Sequence, residues 1–418
     1  MPDSTVRTTG TARRGTPVVA HGRRRASRVA AFVVGVSTAA TAVGLAVAVA
    51  GLTLGVARYV VTPPRRRSEK VEILACEGGL VSLASDADTR LPGLYSFWFD
   101  EGRGHARLGD VVSDDGRVVV RHVESVDEGD LTTAQRGRIT GWYYRDPAEA
   151  GFDFDEVEID TPVGPAPAWL VPASRRSDAG DTAPTEDRWM IGVHGRGVQR
   201  AETLRSLAAF HATGYTSLLV SYRNDGEAPP SIDGRYGLGD TEWADVDAAV
   251  QYAVDRGATS VVLMGWSMGG ATVLQTYLRS ELSGVVGGIV LESPVVDWRT
   301  TLRHQAAAMH LPEPMQRAAM RILQSPRLSP MTGQAAPIDL DALDLVAGAA
   351  SLDVPILVMH SDDDVFVPPT ASHALAAARP DIVTLEVFAV ARHTKLWNVD
   401  PARFDRVIAQ WLGANGLR

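Results

Sequence analysis

With 418 residues and 45% hydrophobic composition the chain can bury a large core, which excludes disorder over most of its length. Its net charge of −9 is unevenly spread: residues 1–70 hold 12 Lys/Arg against 2 Asp/Glu, so the rest is strongly acidic and excludes nucleic acid as a partner of the main body. The single Cys76 rules out an internal disulfide, a CxxC redox pair and a Cys-rich metal site, and with only Lys70 and Lys395 there is little room for Schiff-base or serine–lysine chemistry.

In chain order, residues 1–28, rich in Arg, Thr, Gly and Pro, read as a disordered basic tail. Val29 to Ala57 follows without a charge, between Arg23, Arg24, Arg25 and Arg28 on one side and Arg58 and Arg65-Arg66-Arg67 on the other. About 20 helical residues cross a bilayer's hydrocarbon core, so residues 29–57 are expected to be a transmembrane anchor with the lipid bilayer as partner. A buried core helix of this length would show a polar face. A cleaved signal peptide, with Ala48-Val49-Ala50 as its cleavage site, would have an apolar region about half as long. Six basic residues precede the run nearby and five follow, a slight bias toward an inside N-terminus, a single-pass cell-membrane protein and an extracytoplasmic catalytic body.

Residues 68–152 carry short alternating or apolar runs (VEIL, YSFWF, RVVVRHV, ITGWYY) between Gly- and Asp-rich turns, the pattern of a small β-rich accessory module. Over 153–418 strands alternate with helical stretches, which predicts an α/β domain with a mostly parallel central sheet flanked by helices. VEIDTP and AWLVPA read as an opening hairpin; WMIGVHG, TSLLVSY, VVLMGWS, GGIVLES, PILVMHS and VTLEVFAVA read as buried strands. Helical periodicity covers 202–213, 241–256, 271–279, 371–378 and 401–412, and Asp181 to Asp187 reads as a loop. A segment of about 299–353 is longer than a helix-plus-loops connection and reads as a cap-like insertion, in which Met309, Leu311, Met315, Met320, Ile322 and Leu323 could line an apolar substrate pocket or simply fill a core.

Gly265-Trp266-Ser267-Met268-Gly269 matches GxSxG between an apolar strand and a helix, where a tight bend leaves no room for side chains two positions either side of the serine. A serine nucleophile needs a base, and the base an orienting acid. Asp364 follows the strand PILVMHS, and His393 follows the last strand, which no other histidine does. The order Ser267, Asp364, His393 is the α/β-hydrolase order. The motifs GWSMGG, HGRG, HSDDDVFVP and RHT over roughly 155–415 resemble those of α/β-hydrolase-fold serine hydrolases, and are most similar to bacterial enzymes of the serine aminopeptidase and acylaminoacyl-peptidase-like branch.

The resemblance implies that the triad acid is Asp364, although Ser361 replaces the family's usual glycine and leaves Asp362 and Asp363 as alternatives. It also implies that HGRG, His194 to Gly197, is the oxyanion loop, with the backbone amides of Arg196 and Met268 as donors and His194 ordering the loop. The Arg196 side chain could meet a substrate carboxylate or face solvent. Tyr222 and Tyr236, in a Gly- and Pro-rich segment after TSLLVSY, are candidate substrate contacts. The reading is a membrane-anchored serine hydrolase acting on a small-molecule ester or peptide, without cofactor or metal; a catalytically silent binding protein of the same fold is the alternative. Esterase and peptidase differ in pocket rather than triad, and both stand.

Overall fold

The computed structural model describes residues 7–10, 44–64, 68–173 and 187–418. All but residues 7–10 of the tail expected over 1–28, the first half of the anchor expected over 29–57, and all but the last residue of the loop 181–187 lie outside the described residues. Contacts divide the chain into two units, Met1–Thr53 and Leu54–Arg418. Helix α1, Gly44–Val61, begins in the first and ends in the second; among the described residues it is the helix long and apolar enough to cross a membrane.

In the second unit a barrel follows the end of α1. Strands β1 (Val71–Glu77), β2 (Leu80–Ala84), β3 (Tyr95–Phe99), β4 (Gly104–Asp114), β5 (Val118–Glu128) and β6 (Arg136–Thr140) close antiparallel in the order β1-β2-β5-β4-β3-β6. Closure leaves no unpaired edge, and the interior is filled by Val81, Leu83, Phe97, Phe99 and Leu108. The run ITGWYY is strand only as far as Thr140. Beyond it, Trp142 and Tyr143 join Trp397 in the core of the following sheet, because those bulky rings find more to bury there than in the narrow barrel.

That sheet has eight strands in the order β14-β13-β12-β11-β9-β10-β8-β7. Strands β7 (Asp155–Thr161) and β8 (Gly164–Val171) form the antiparallel hairpin at one edge. Strands β9 (Arg188–Val193), β10 (Thr216–Val220), β11 (Ser260–Trp266), β12 (Val286–Glu292), β13 (Ile356–Ser361) and β14 (Val383–Phe388) are parallel to one another. Buried on both faces, the strands divide their apolar residues by the two-residue period. Ile191, Leu218, Leu263, Leu291 and Val358 enter one core. Met190, Leu219, Met264, Val290 and Leu357 enter the other.

Between the strands lie α2 (Leu207–Ala212), α3 (Trp243–Val254), α4 (Met268–Arg279) and α7 (Thr370–Ala378), and after the last strand come α8 (Leu396–Val399) and α9 (Pro401–Ala414). The helix expected over 202–213 is split between a 3-10 turn, Arg200–Ser206, and the α-helix α2 that follows it directly. Helices α5 (Trp298–Ala308) and α6 (Glu313–Gln324) stand in the long connection from β12 to β13. Asp297 starts α5 by accepting from the amides of Arg299 and Thr300.

Helix α1 runs four residues past the uncharged stretch because Arg58 finds an acceptor in Thr332 O, at 3.3 Å. One face of its last turns belongs to the protein interior: Ala57 and Val61 are fully buried in the sheet's core, and Val61 O accepts from the amide of Tyr236. A chain that starts at residue 68 is therefore expected to unfold at lower temperature than one that starts at Leu54, by on the order of 2–4 kcal/mol for the lost apolar burial and carbonyl partners. Equal melting temperatures would contradict this role for the helix end.

On α9, burial pushes the Asp405 carboxyl up to about 6, and its Oδ1 meets no donor among the described residues. The folded state thus holds a proton there that the unfolded chain has released, so stability falls as pH rises from about 4 to 6 and stays lower above. Asp405→Asn is expected to raise stability at pH 7–8 by about 1 kcal/mol, allowing for its partial exposure, and to change nothing near pH 4. Thermal unfolding of both proteins across this range checks it.

Candidate active site

Strand β11 ends in a bend whose central residue, Ser267, has φ 51° and ψ −115°, a conformation that costs a non-glycine residue on the order of 1–3 kcal/mol. The backbone crowds the bend so closely that its glycines are obligatory. A Cβ on Gly265 would lie 2.5 Å from Gly269 O, one on Gly269 2.2 Å from Val193 O, and one on Gly270 2.6 Å from Pro294 Cβ. The strain is held by neighbouring chain: Ser267 N donates to Glu292 O at 3.0 Å, and Ser267 O accepts from Gly270 N and Val295 N.

His393 sits between β14 and α8, flanked by Arg392 (φ 57°) and Thr394 (φ 50°), two more non-glycine residues in the left-handed region. Its Nε2 lies 2.9 Å from Ser267 Oγ and its Nδ1 2.7 Å from Asp364 Oδ2. Asp364 Oδ1 accepts from the amides of Phe366 and Val367, both at 2.9 Å, and Oδ2 also faces His360 Nε2 at 3.2 Å. Burial alone would raise the Asp364 carboxyl, but the charge of His393 and hydrogen bonds from His360 and His393 outweigh it and hold the group well below the usual carboxylate range. A carboxylate only accepts, so Nδ1 of His393 donates to Asp364, which in a neutral imidazole leaves Nε2 as the nitrogen that can accept from Ser267 Oγ.

The two alternative aspartates do other things. Asp363 accepts from Ser361 Oγ and from the amides of Ala391 and Arg392, bracing the histidine loop. Asp362 is exposed and pairs with His373 at 3.3 Å.

The HGRG turn lies alongside Ser267: a Cβ on Gly195 would come within 3.2 Å of Ser267 Cβ. The Gly195 amide is already committed to Glu202 Oε2 at 2.7 Å. Among the described residues, the amides of Arg196 and Met268 donate to no protein acceptor, and the latter opens α4, where helix amides attract negative charge. His194 is fully buried, with Nε2 3.2 Å from Asp225 and its ring stacked on Tyr222.

Three side chains depart from expectation. The Arg196 guanidinium, half-buried at the cleft, donates to the carbonyls of Tyr59, Val60 and Thr62 at the end of α1 and lies near the rings of Tyr59 and Tyr236. Tyr222 is fully buried beneath the loop, its hydroxyl donating to His194 O and Gly195 O at 3.0 Å each, so it braces the loop from behind instead of facing the cleft. Tyr236, 1% exposed, accepts from the Gly197 amide at 3.2 Å and also supports the turn. For the two tyrosines burial won, because a ring in this Gly- and Pro-rich segment covers more apolar surface inward than it could over an open cleft.

The cleft around Ser267, roughly 370 Å³, falls in the size range of small-molecule sites. Several of its determinants had no local signal in the sequence. Asp88, on the barrel loop between β2 and β3, reaches the rim and pairs with Lys395 at 2.7 Å and Arg392 at 3.2 Å, on either side of His393. Asn398 ties the same histidine loop to the barrel by donating to Leu94 O and Gly141 O. Glu292 is buried; it accepts from Trp266 Nε1 and from the Leu396 amide, joining the serine bend to the segment after His393. Burial pushes its carboxyl up. No group of three or more His, Cys, Asp or Glu side chains suited to a metal ion occurs among the described residues.

A second Ser-His-Asp arrangement is carried by barrel strands β3, β4 and β5, on the face turned away from the barrel's interior: Ser96 Oγ is 2.8 Å from His105 Nε2, and His105 Nδ1 is 2.9 Å from Asp127 Oδ2. Ser96 and His105 are fully buried, and the Ser96 hydroxyl also faces the Trp142 carbonyl.

The family described as the alpha/beta hydrolase family matches residues 190–407, and one described as a domain of unknown function (DUF8805) matches 72–140. No curated protein matches the chain. Among solved structures, an esterase of Pyrococcus furiosus is similar at 17% identity and a TM-score of 0.47, over 65% of this chain and 96% of that one. A puromycin-hydrolyzing peptidase of Mycobacterium tuberculosis is similar at 18% identity and a TM-score of 0.49, over 82% of this chain and 48% of that one. An esterase of a Rhodococcus species is similar at 18% identity and a TM-score of 0.43, over 62% of this chain and 99% of that one.

If Tyr222 braces the HGRG turn and an amide of that turn meets the reacting oxygen of a substrate, Tyr222→Phe should lower kcat about tenfold on a short ester while KM changes less than twofold. A rise in KM at constant kcat would instead mark a substrate contact.

Proposed function

The chain belongs to the alpha/beta hydrolase family, and from that membership and the geometry around Ser267 we propose that it is a membrane-anchored serine hydrolase cleaving an ester or amide through an acyl-enzyme. The observation that carries the reading is the continuous line from Asp364 Oδ2 through His393 to Ser267 Oγ, with both contacts under 3 Å, on a strained strand-to-helix bend. Ser267 Oγ attacks the carbonyl as His393 Nε2 takes its proton. Asp364 keeps the imidazole oriented and stabilises the imidazolium. The oxyanion that forms is met by the free amides of Arg196 and Met268. Collapse expels the alcohol or amine, protonated by His393; water, deprotonated by the same nitrogen, then releases the acid and restores Ser267.

The uncharged run supports anchoring even though the end of α1 is docked on the catalytic unit. From Val29 to Thr53 the sequence still offers a stretch without charge that exceeds the ~20 residues a bilayer requires. Protease accessibility of the body in intact cells tests its placement outside the membrane.

A fluorophosphonate probe should label the protein, and labelling should be lost in Ser267→Ala and His393→Ala. Undiminished labelling in both would sink the reading. Asp364→Asn should leave the fold intact and lower kcat by roughly 10³–10⁴, because an amide favours the wrong imidazole tautomer.

A further inference from the structure

A helix leaves its last carbonyls without partners along its own axis, and the negative end of its dipole favours a cation there. At the end of α1 that cation is Arg196 of the HGRG turn. Its Nε donates to Val60 O at 3.0 Å, and its Nη2 to Tyr59 O and Thr62 O at 2.8 Å each. The next residue of the turn is held from the same side. Gly197 has φ 69°, and a Cβ on it would lie 2.6 Å from Pro64 Cγ; its amide donates to the Tyr236 hydroxyl at 3.2 Å. Tyr236 gives its own amide to Val61 O at 2.9 Å, and Arg235 Nη1 donates to Thr62 Oγ1 at 3.1 Å. The stretch from Tyr59 to Pro64 thus grips the turn at Arg196 and Gly197, while the contacts among Ser267, His393 and Asp364 are made without it.

We infer that the Arg196 side chain is a positioning residue for the oxyanion hole and acts through the end of α1, so that Ser267 reaches its full rate only while that helix end is docked; this rests on the serine-hydrolase reading above. The amide that would meet the oxyanion belongs to the peptide unit joining Gly195 to Arg196. On one side of that unit Gly195 O accepts from Tyr222 at 3.0 Å. On the other, the planar guanidinium fork is clamped by three carbonyls of the helix end and the residue after it, which fixes the side chain that leads back to the donor. The guanidinium itself meets no reacting atom. Its effect is on where the amide points, and a misplacement of about 1 Å at a reacting centre costs on the order of a hundredfold in rate. Undocking the end of α1 would leave the triad assembled and the oxyanion donor loose, which makes the apolar helix a condition of turnover as well as an attachment.

The test measures kcat and KM for p-nitrophenyl acetate on the full chain, well below the lowest melting temperature of the set, with fluorophosphonate labelling run beside it. Arg196→Met keeps the backbone amide and an apolar stem but removes the fork; it should lower kcat about ten- to a hundredfold with KM within about twofold. Arg196→Lys, which keeps a cation at the helix end and has little folding cost, should fall between Arg196→Met and the wild type. Val60→Pro breaks the last turn of α1 and should lower kcat by itself. Combined with Arg196→Met it should lose no more than the larger single loss, because both cut one link. Arg58→Ala removes the contact with Thr332 O, away from the turn, and as the stability control should keep kcat within about twofold. If Arg196→Met does not melt cooperatively, Arg196→Lys and Val60→Pro decide. With labelling intact, unchanged kcat in the Arg196 variants, or losses that add fully in the double variant, would overturn the coupling and leave the serine reading standing. A rise in KM at constant kcat would overturn it too, by making Arg196 a substrate contact. Absence of labelling in the wild type would overturn both.

Discussion

The backbone at Ser267 is packed so tightly that no side chain fits beside it, and the rest of the site is built outward from that crowding. Strand β11 must stop, α4 must begin at once, and the carbonyls of Val193 and His194 must press against Gly269. This brings the end of β9 and its HGRG turn next to the serine, where Glu202, Tyr222 and Tyr236 hold the turn's backbone. Glu292 at the end of β12 then fixes the bend from the other side. The strain at Ser267 is affordable because a large two-faced core over-determines the strands that create it.

Two turns beside Ser267, HGRG and the loop that carries His393, are each gripped by structure outside the central sheet. Arg196 ties the first to the end of α1 through three carbonyls. Asp88 and the contacts of Asn398 tie the second to the barrel. Left-handed conformations at Arg392 and Thr394 fit that picture, since a loop under local strain needs external partners to hold one shape. The barrel and the helix end therefore belong to the architecture of the cleft as much as the strands do.

What was legible in the sequence was what short range dictates. The parallel strands announced themselves as apolar runs, and Ser267, Asp364 and His393 each follow one, so their convergence follows from strand order. The glycines around Ser267 were legible for the same reason. Tyr222, Tyr236 and the side chain of Arg196 were misjudged because their partners lie far along the chain or beneath the loop, where no periodicity marks them. Asp88 lies about 300 residues from the histidine it flanks, and the module it belongs to shows only alternation, which specifies a barrel but not what its loops touch. The end of α1 was hidden by Arg58, a charge that reads as a boundary until its acceptor is known.

The barrel's own Ser96, His105 and Asp127 show how little distance alone says about reactivity. Their spacing is close to that around Ser267, yet no cleft opens on the hydroxyl, and its proton has a carbonyl as a rival acceptor. Two arrangements of the same three residue types thus sit in one molecule as a natural control. One is sealed and serves as an internal strut; the other opens to solvent beside two uncommitted amides, and only there would a proton, once lifted, leave behind an oxygen with something to attack.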